Sequence, residues 1–329
     1  MCDMIKIKIL ENQGNQRLDR FLKKYFAKAS LSHIYKLIRK DVKVNGKRNK
    51  PESVLYVGDE VTIYISEEDA TALQKNIKRV SAKKQFTVIY EDDNILVVEK
   101  PFGLLTHGDS NEKKNHLANQ VIDYLIANGD YDPRIDRTFV PSPANRLDRN
   151  TTGLVLFGKT SAALQELNFM LRERDMVEKV YMAIVSGKMQ KTMYLKNNMI
   201  KDQHKNLVST TADDQEGRTM ETTAFPIEYS KGSKPYTLVE AQIRTGRTHQ
   251  IRVQLAAAGY PIIGDVKYGN RSTNNLMKSK YELTTQFLHA YELRFADCRE
   301  DGPLSYLKGQ EFVCPLPERF QRIKEEIFG

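Results

Sequence analysis

Four large apolar residues in a row, Leu154-Val155-Leu156-Phe157, stand between Gly153 and Gly158, and a segment dense in charge leads into them. A short unbroken apolar run bounded by turn-forming residues reads as a buried strand. Such a strand needs a core around it. With 40% hydrophobic residues over 329 positions the chain has the material for one, and its length suits about two domains. The segment in front, Pro143-Ala144-Asn145-Arg146-Leu147-Asp148-Arg149-Asn150-Thr151-Thr152, sets one carboxylate between two guanidinium groups. Neighbouring cations favour an ionised carboxylate, which suits Asp148 as a nucleophile or base acting on an anionic substrate. Most adjacent Asp and Arg side chains are only surface ion pairs, so the rest of the chain has to decide.

Charge points toward polyanions. The 51 Lys and Arg residues exceed the 42 Asp and Glu residues, for a formal charge of +9. Such a surplus favours nucleic acid or an anionic membrane surface. It is concentrated near the start: residues 15–65 hold 12 Lys/Arg against 5 Asp/Glu, the footprint expected of a nucleic-acid module. No apolar run approaches the roughly 18 residues of a membrane span, and residues 1–6 open no secretory leader. Cys2, Cys298 and Cys314 form no Cys-x-x-Cys pair, which predicts a reduced, cytoplasmic protein. His33, His107, His116, His204, His249 and His289 show no ligand spacing with Cys or carboxylates, so no metal is expected.

Element patterns divide the chain. Residues 15–66 predict a small basic domain. Leu18, Phe21, Leu22, Tyr25 and Phe26 have helical spacing, and Ser32 caps a second helix with Ile34, Leu37 and Ile38 inward. A strand from Val42 then enters an Asn45-Gly46 turn, and two more strands meet around Gly58-Asp59. Residues 67–84 are polar and read as a linker with at most a short helix. A second domain over 85–325 predicts strands at 86–90, 95–99, 154–157, 180–185, 219–228, 236–243 and 286–295. Helices are expected at 116–128 and 160–175. Strands outnumber helices without alternating with them, which predicts an α+β fold over a doubly wound sheet.

Gly153 to Thr160 also matches the phosphate-loop expression G-x-x-x-x-G-K-[ST]. A phosphate cradle needs its middle residues in an open loop with backbone N–H groups aimed at the ligand. Leu, Val, Leu and Phe fill those places here, and their N–H groups belong in a sheet. A P-loop NTPase is therefore the remote alternative, and no nucleotide cofactor is expected. A second cluster runs from Arg244 to Arg252 and holds three arginines, His249 and Gln250 within nine residues. Guanidinium groups give bidentate donors for phosphate and base edges. Thr245-Gly246 reads as a turn and 248–257 as a helix, so the basic residues fall where backbone N–H groups also favour anions.

Residues 15–66 resemble the small RNA-binding domain named for a ribosomal small-subunit protein. The likeness rests on Arg17-Leu18-Asp19-Arg20-Phe21-Leu22, on Ser32 to Lys40, and on Val42-Lys43-Val44-Asn45-Gly46-Lys47. It implies RNA contacts from Arg17, Arg20, Lys36, Arg39, Lys40, Lys47 and Arg48. Over residues 15–325 the chain is similar to pseudouridine synthases of the RluA/RluC/RluD family. Matching blocks run in the family's order: Ile89 to Pro101 with Gly103-Leu104, Asn145 to Leu154, Lys179-Val180-Tyr181-Met182-Ala183, Arg244 to Leu255, Gly264 to Gly269, and Leu288-His289-Ala290.

That resemblance implies a mixed, largely antiparallel central sheet in two half-domains, with RNA lying in the cleft between them. It implies isomerisation of uridine in structured RNA, large-subunit (23S) ribosomal RNA above all, by a monomer without cofactor. Asp148 is then the catalytic carboxylate and Arg252 its ion-pair partner. Tyr181 is expected against the uracil face, near enough to act as base when the last ring proton leaves. Arg146 is expected in the gap left by the everted uridine, and Arg247 and His249 as RNA contacts. Asn145 stands where many relatives have His and Asn150 where many have Asp; neither replaces Asp148. The alternative is a non-catalytic RNA-binding or ribosome-assembly factor on the same scaffold, against which intact Asp148, Tyr181 and Arg252 count.

Overall fold

The computed structural model describes residues 3–74, 83–173, 175–202, 207–211, 218–232 and 234–329. Cys2, His204 and residues 75–82 of the expected linker lie outside the described residues. Two compact units are present. One takes Met1–Ala82, Val121–Ser142 and Lys159–Ala162, the other Lys83–Gln120, Pro143–Gly158 and Ala163–Gly329. Compactness thus follows the sequence less simply than the expected 15–66 and 85–325.

The chain opens with β1 (Ile5–Lys8), β2 (Gln16–Arg17), α1 (Leu18–Tyr25), α2 (Leu31–Lys40), β3 (Val42–Val44), β4 (Val54–Leu55), β5 (Glu60–Ile63) and α3 (Glu67–Leu73). Strands β1 and β3 flank β5, both antiparallel to it. The apolar faces of α1 and α2 close over this sheet, with Leu18, Phe21, Leu22, Ile34, Leu37 and Ile38 packed against Val42, Val44, Val61 and Ile63. Ser30, not Ser32, caps α2: it is extended and accepts the backbone N–H of His33 at 3.2 Å. Asn45 and Gly46 both have positive φ, 50° and 76°, the left-handed pair that a two-residue hairpin requires. Residues 67–73, expected in the linker, form α3, whose Ala70 and Leu73 join the same core.

Next come β6 (Thr87–Glu91), β7 (Ile95–Lys100), α4 (Leu117–Asn128), β8 (Ser142–Pro143), β9 (Thr152–Gly158), α5 (Ser161–Met170), β10 (Val177–Ser186), β11 (Met193–Asp202) and β12 (Leu207–Thr211). The chain ends with β13 (Arg218–Tyr229), β14 (Tyr236–Ile243), α6 (Gln250–Ala257), α7 (Arg271–Tyr281), β15 (Leu288–Phe295), β16 (Glu311–Val313) and α8 (Glu318–Phe328). The strands from β6 onward form one 11-stranded sheet in the order β12-β11-β13-β14-β10-β15-β9-β7-β6, with β16 beside β15 and β8 beside β9. The pairs β7–β9, β10–β15 and β10–β14 are antiparallel, while β9 and β15 run parallel. The fold is α+β with a mixed, largely antiparallel sheet, as expected.

Strand β9 is buried along its whole length. It pairs with β7 from Lys100↔Gly153 to Ile95↔Gly158. The N–H groups that a phosphate loop would turn toward a nucleotide lie in the sheet, which removes the structural basis of the NTPase alternative. Among the described residues no helix is long and apolar enough to cross a membrane.

The joint between β9 and β15 anchors the segment that carries Asp148. His289 on β15 faces the Cys314 carbonyl through Nε2 at 2.8 Å and the Thr152 hydroxyl through Nδ1 at 2.7 Å. A carbonyl only accepts, so Nε2 carries the hydrogen and Nδ1 accepts from Thr152. Burial pushes this imidazole down to about 4 and keeps it neutral. One residue on, Ala290 pairs with Gly153 on one side and Tyr181 on the other. A register shift between Val180 and Tyr181 marks a bulge, the device that re-aims a side chain.

Gly153 has a φ of +109°, and a Cβ there would collide with the Ala290 carbonyl. Gly153→Ala is expected to cost more than about 3 kcal/mol through strain and overlap together. Gly46→Ala, at a φ of +76° with nothing within 4 Å of the new Cβ, should cost only about 1 kcal/mol. Urea midpoints of the two variants compare them directly. Equal midpoints would contradict a tight joint at residue 153.

Candidate active site

The loop carrying Asp148 is clamped on both sides. Before it, the Thr106 hydroxyl accepts the Leu147 N–H at 3.1 Å and donates to the Leu147 carbonyl at 3.0 Å. After it, Lys100, wholly buried at the end of β7, donates to the Arg149 carbonyl at 2.9 Å. The same Nζ also reaches the Leu104 and Pro101 carbonyls at 2.7 and 3.1 Å. Burial lowers the Lys100 pKa to about 7, against the pull of the nearby Asp148 charge. The Asp148 carbonyl itself accepts the Thr151 N–H at 3.1 Å. A side chain on a loop held this way loses little freedom when a ligand arrives.

The arginines next to Asp148 in sequence are not its partners. Arg149 turns to Asp109 at 3.3 Å, and Arg146 is exposed in the cleft. The partner is Arg252, brought from the first turn of α6. Its Nη1 donates to Asp148 Oδ2 at 2.8 Å. Its Nε and Nη2 donate to the two oxygens of Asp265 at 2.6 and 2.9 Å. Asp265 is fully buried, and its Oδ1 also accepts the N–H groups of Lys267 and Tyr268 at 2.9 and 3.1 Å. Burial would raise the pKa of Asp265, but the Arg252 bonds and these N–H groups hold it below its ordinary value. Burial likewise works against the Arg252 charge, and Asp265 with Asp148 raises it back above the usual value.

His249 sits at the start of α6 in the left-handed conformation, with a φ of 55°. Its Nδ1 is 2.8 Å from the Tyr268 hydroxyl and its Nε2 is 3.8 Å from Asp148 Oδ2. Burial, the largest influence, pushes the pKa of His249 down despite the Asp148 charge. The Tyr268 ring also lies 5.3 Å from the Arg252 guanidinium carbon, within cation–π range. Arg252 and His249 thus both address Oδ2. Oδ1 of Asp148 has no hydrogen-bond partner among the described residues, which leaves it for a substrate.

Arg146, Asp148, Tyr181, Arg247, His249 and Arg252 line one cleft together with Ile243 and Leu288. The Tyr181 phenol is buried, and burial with the Asp148 charge raises its pKa well above the ordinary tyrosine value. Arg247 is exposed, and its N–H is received by the Gln250 side chain at 3.1 Å. Buried Gln250 also donates to the Glu221 carbonyl and the Thr222 hydroxyl, both at 3.0 Å, tying the turn before α6 to β13. In the first unit Arg20, Lys36, Arg39, Lys40, Lys47 and Arg48 are exposed, whereas Arg17 is engaged by Asp19 at 3.1 and 2.7 Å. Among the described residues no group of three His, Cys, Asp or Glu could hold a metal ion.

Sequence reasoning gave no role to Asp265, Lys100 or Thr106, and read Gln250 as part of a donor cluster for RNA, whereas its side chain ties the turn before α6 to β13. The signal for Asp265 was present in the block Gly264-Asp265-Val266-Lys267-Tyr268-Gly269. For Lys100 it was a lone cation ending an apolar strand.

The family model for RNA pseudouridylate synthase matches residues 94–257. The chain is similar to the ribosomal large subunit pseudouridine synthase C of Escherichia coli (strain K12), 37% identical over 300 residues and 88% of each chain. It is similar also to the protein of that name from Vibrio vulnificus, 32% identical over 98% of this chain and 96% of the relative. In fold it is similar to the solved human RNA Pseudouridylate Synthase Domain Containing 4, with a TM-score of 0.51 and 21% identity. That likeness covers 71% of this chain and 90% of that one.

Asp265→Asn would leave the buried Arg252 charge half compensated, and removing one partner of a buried pair costs about 3–5 kcal/mol. The sign with pH follows from the lowered pKa of Asp265. Its contribution is complete above the unfolded value of about 4 and is lost as pH falls through the folded value. Urea unfolding should therefore show a much lower midpoint for the variant at pH 7, and a gap to wild type that narrows in acid. A gap that stays constant down to pH 2 would contradict the assignment.

Proposed function

The chain belongs to the RNA pseudouridylate synthase family, and from that premise we propose that it isomerises uridine in large-subunit (23S) ribosomal RNA with Asp148 as its catalytic carboxylate. The observation that carries this reading is the line Asp265–Arg252–Asp148, with Oδ1 of Asp148 unengaged in the cleft that Tyr181 lines. The reaction breaks the bond from C1′ to N1 of uracil and makes one from C1′ to C5. A proton leaves C5 and N1 gains one. No electrons are gained or lost, so the chemistry needs no redox or nucleotide cofactor.

Asp148 can serve by either of two routes. It attacks C1′ and carries the sugar as an ester while uracil turns, or it removes the 2′ proton and later returns it. Arg252 compensates and orients the carboxylate in both. The raised pKa of Tyr181 leaves little phenolate at neutral pH, which supports packing against the uracil face over service as a standing base.

The target atoms of a stacked uridine are out of reach, and everting a nucleotide costs a few kcal/mol. Exposed Arg146 is suited to fill the gap. The exposed cations of residues 15–66 are suited to phosphate and make binding depend steeply on salt. RNA binding is assigned to 15–66, connection to 67–84 and catalysis to 85–325. The protein is proposed to act as a monomer, and a ribosomal substrate supports a cytoplasmic location.

Asp148→Asn is expected to lower turnover by about a thousandfold or more while RNA affinity stays within about twofold of wild type. Pseudouridine mapping of 23S RNA and filter binding read the two quantities. Product formed by the variant at the wild-type rate would overturn the catalytic role and favour a non-catalytic RNA-binding factor.

His249 is neutral at pH 7 because burial lowers its pKa. Protonation in acid would place an imidazolium beside Oδ2 and draw the carboxylate from its work. The acid limb of kcat/KM should therefore fall below the ordinary histidine value of about 6.5, and His249→Gln should shift that limb. An identical pH profile in the variant would remove His249 from this role.

A further inference from the structure

Beside the loop that carries Asp148 lies a second pocket, lined by Gln85, Phe102, Glu112, Asn115 and Arg149 together with the turn from Gly103 to Leu105. Its position is fixed relative to the chemistry. Arg149 follows Asp148 directly, so their Cα atoms are about 3.8 Å apart. Lys100 bonds the Arg149 carbonyl and the Leu104 carbonyl together.

The pocket is polar and arranged in advance. Gln120, 1% exposed, donates from its amide nitrogen to the side-chain oxygens of Gln85 and Asn115, both at 2.8 Å. Its own oxygen accepts the Gln85 backbone N–H at 2.9 Å. One buried amide thus orients two others, and their NH2 groups have no partner among the described residues. Glu112 accepts the Lys114 and Asn115 N–H groups on Oε1 at 2.8 Å each, and its other oxygen has no partner among the described residues. Those N–H groups keep the carboxyl below its ordinary pKa and therefore ionised. Arg149 is steadied by Asp109 at 3.3 Å. Phe102 leaves 48% of its surface open at the rim, on a turn where Gly103 has a φ of +77°. The exposed ring is open to stacking.

We propose that this pocket is a base-binding subsite for the nucleotide next to the everted uridine, with guanine as its best fit. The inference rests on the RNA-isomerase reading above. Single-stranded bases are recognised by stacking on an aromatic ring and by hydrogen bonds to the Watson–Crick edge. Phe102 provides the ring and Arg149 a planar cation, which also stacks. Guanine presents two donors, N1–H and N2–H, side by side, and both can converge on the one free oxygen of Glu112, while its O6 accepts from an amide such as Gln85 or Asn115. Uracil has a single ring N–H between two acceptors and matches the carboxylate less well. Eversion of the target unstacks its neighbour on one side, and the subsite gives that neighbour a new partner.

The test is steady-state turnover on 23S RNA fragments carrying each of the four bases, in turn, on either side of the mapped target uridine. Wild type should prefer guanine at one of the two positions, with KM rising about tenfold when it is replaced. Phe102→Ala should raise KM about tenfold for every fragment, the size expected from loss of one stacked base. Glu112→Gln keeps an oxygen for the two N–H groups and should erase the preference for guanine. Equal KM for all fragments in wild type, or a preference that survives Glu112→Gln, would overturn the subsite while leaving the isomerase intact. No turnover of any fragment by wild type would instead remove the reading beneath it, and the subsite with it.

Discussion

A buried guanidinium shared between two carboxylates organises this protein. Arg252 gives two of its nitrogens to Asp265 and one to Asp148, so a group from α6 fixes a loop more than a hundred residues earlier. The planar fork of arginine makes this sharing possible; a lysine offers a point charge and no such geometry. A charge taken out of water is costly unless it is paired and hydrogen-bonded. Arg252 is a stable member of the fold because Asp265 is there, and Asp148 is held in the cleft because Arg252 is there.

The surrounding sheet makes that arrangement stiff. Lys100 at the end of β7, Thr106 beyond it and the joint of β9 with β15 each hold the Asp148 loop through backbone groups. Backbone hydrogen bonds in a buried sheet leave little room for local motion. The polar groups inside are matched closely: Thr138 Oγ1 is the one buried side-chain polar atom without a partner among the described residues.

Much of the fold was legible because its strong elements have strong patterns. The apolar run of β9, the alternation of β14 and the faces of α1 and α2 all predict their own place. Strand β11 was not legible, because its sequence Met193 to Asp202 mixes Lys, Asn and apolar residues without a clear alternation, and its pairing with β13 is a contact across space. Helix α7 escaped for a similar reason, burying only Met277 and Tyr281 from an otherwise polar stretch. At the site, Asp148 and Arg252 stood out through dense local charge. Asp265 stood in a short loop whose meaning comes from a contact across space. Neighbours in sequence misled: Arg146 and Arg149 flank the carboxylate, yet its ion pair comes from 104 positions away.

Ala290 touches both halves of the chemistry through the backbone, paired with Gly153 at the root of the aspartate loop and with Tyr181 on β10. The gauge between carboxylate and phenol is therefore cut into the sheet before any RNA arrives, at two strand spacings of about 4.8 Å each. The width of the slot between the two is set by the sheet, and on the reading proposed above an RNA would enter it by everting a nucleotide, at a cost that differs from one sequence context to another.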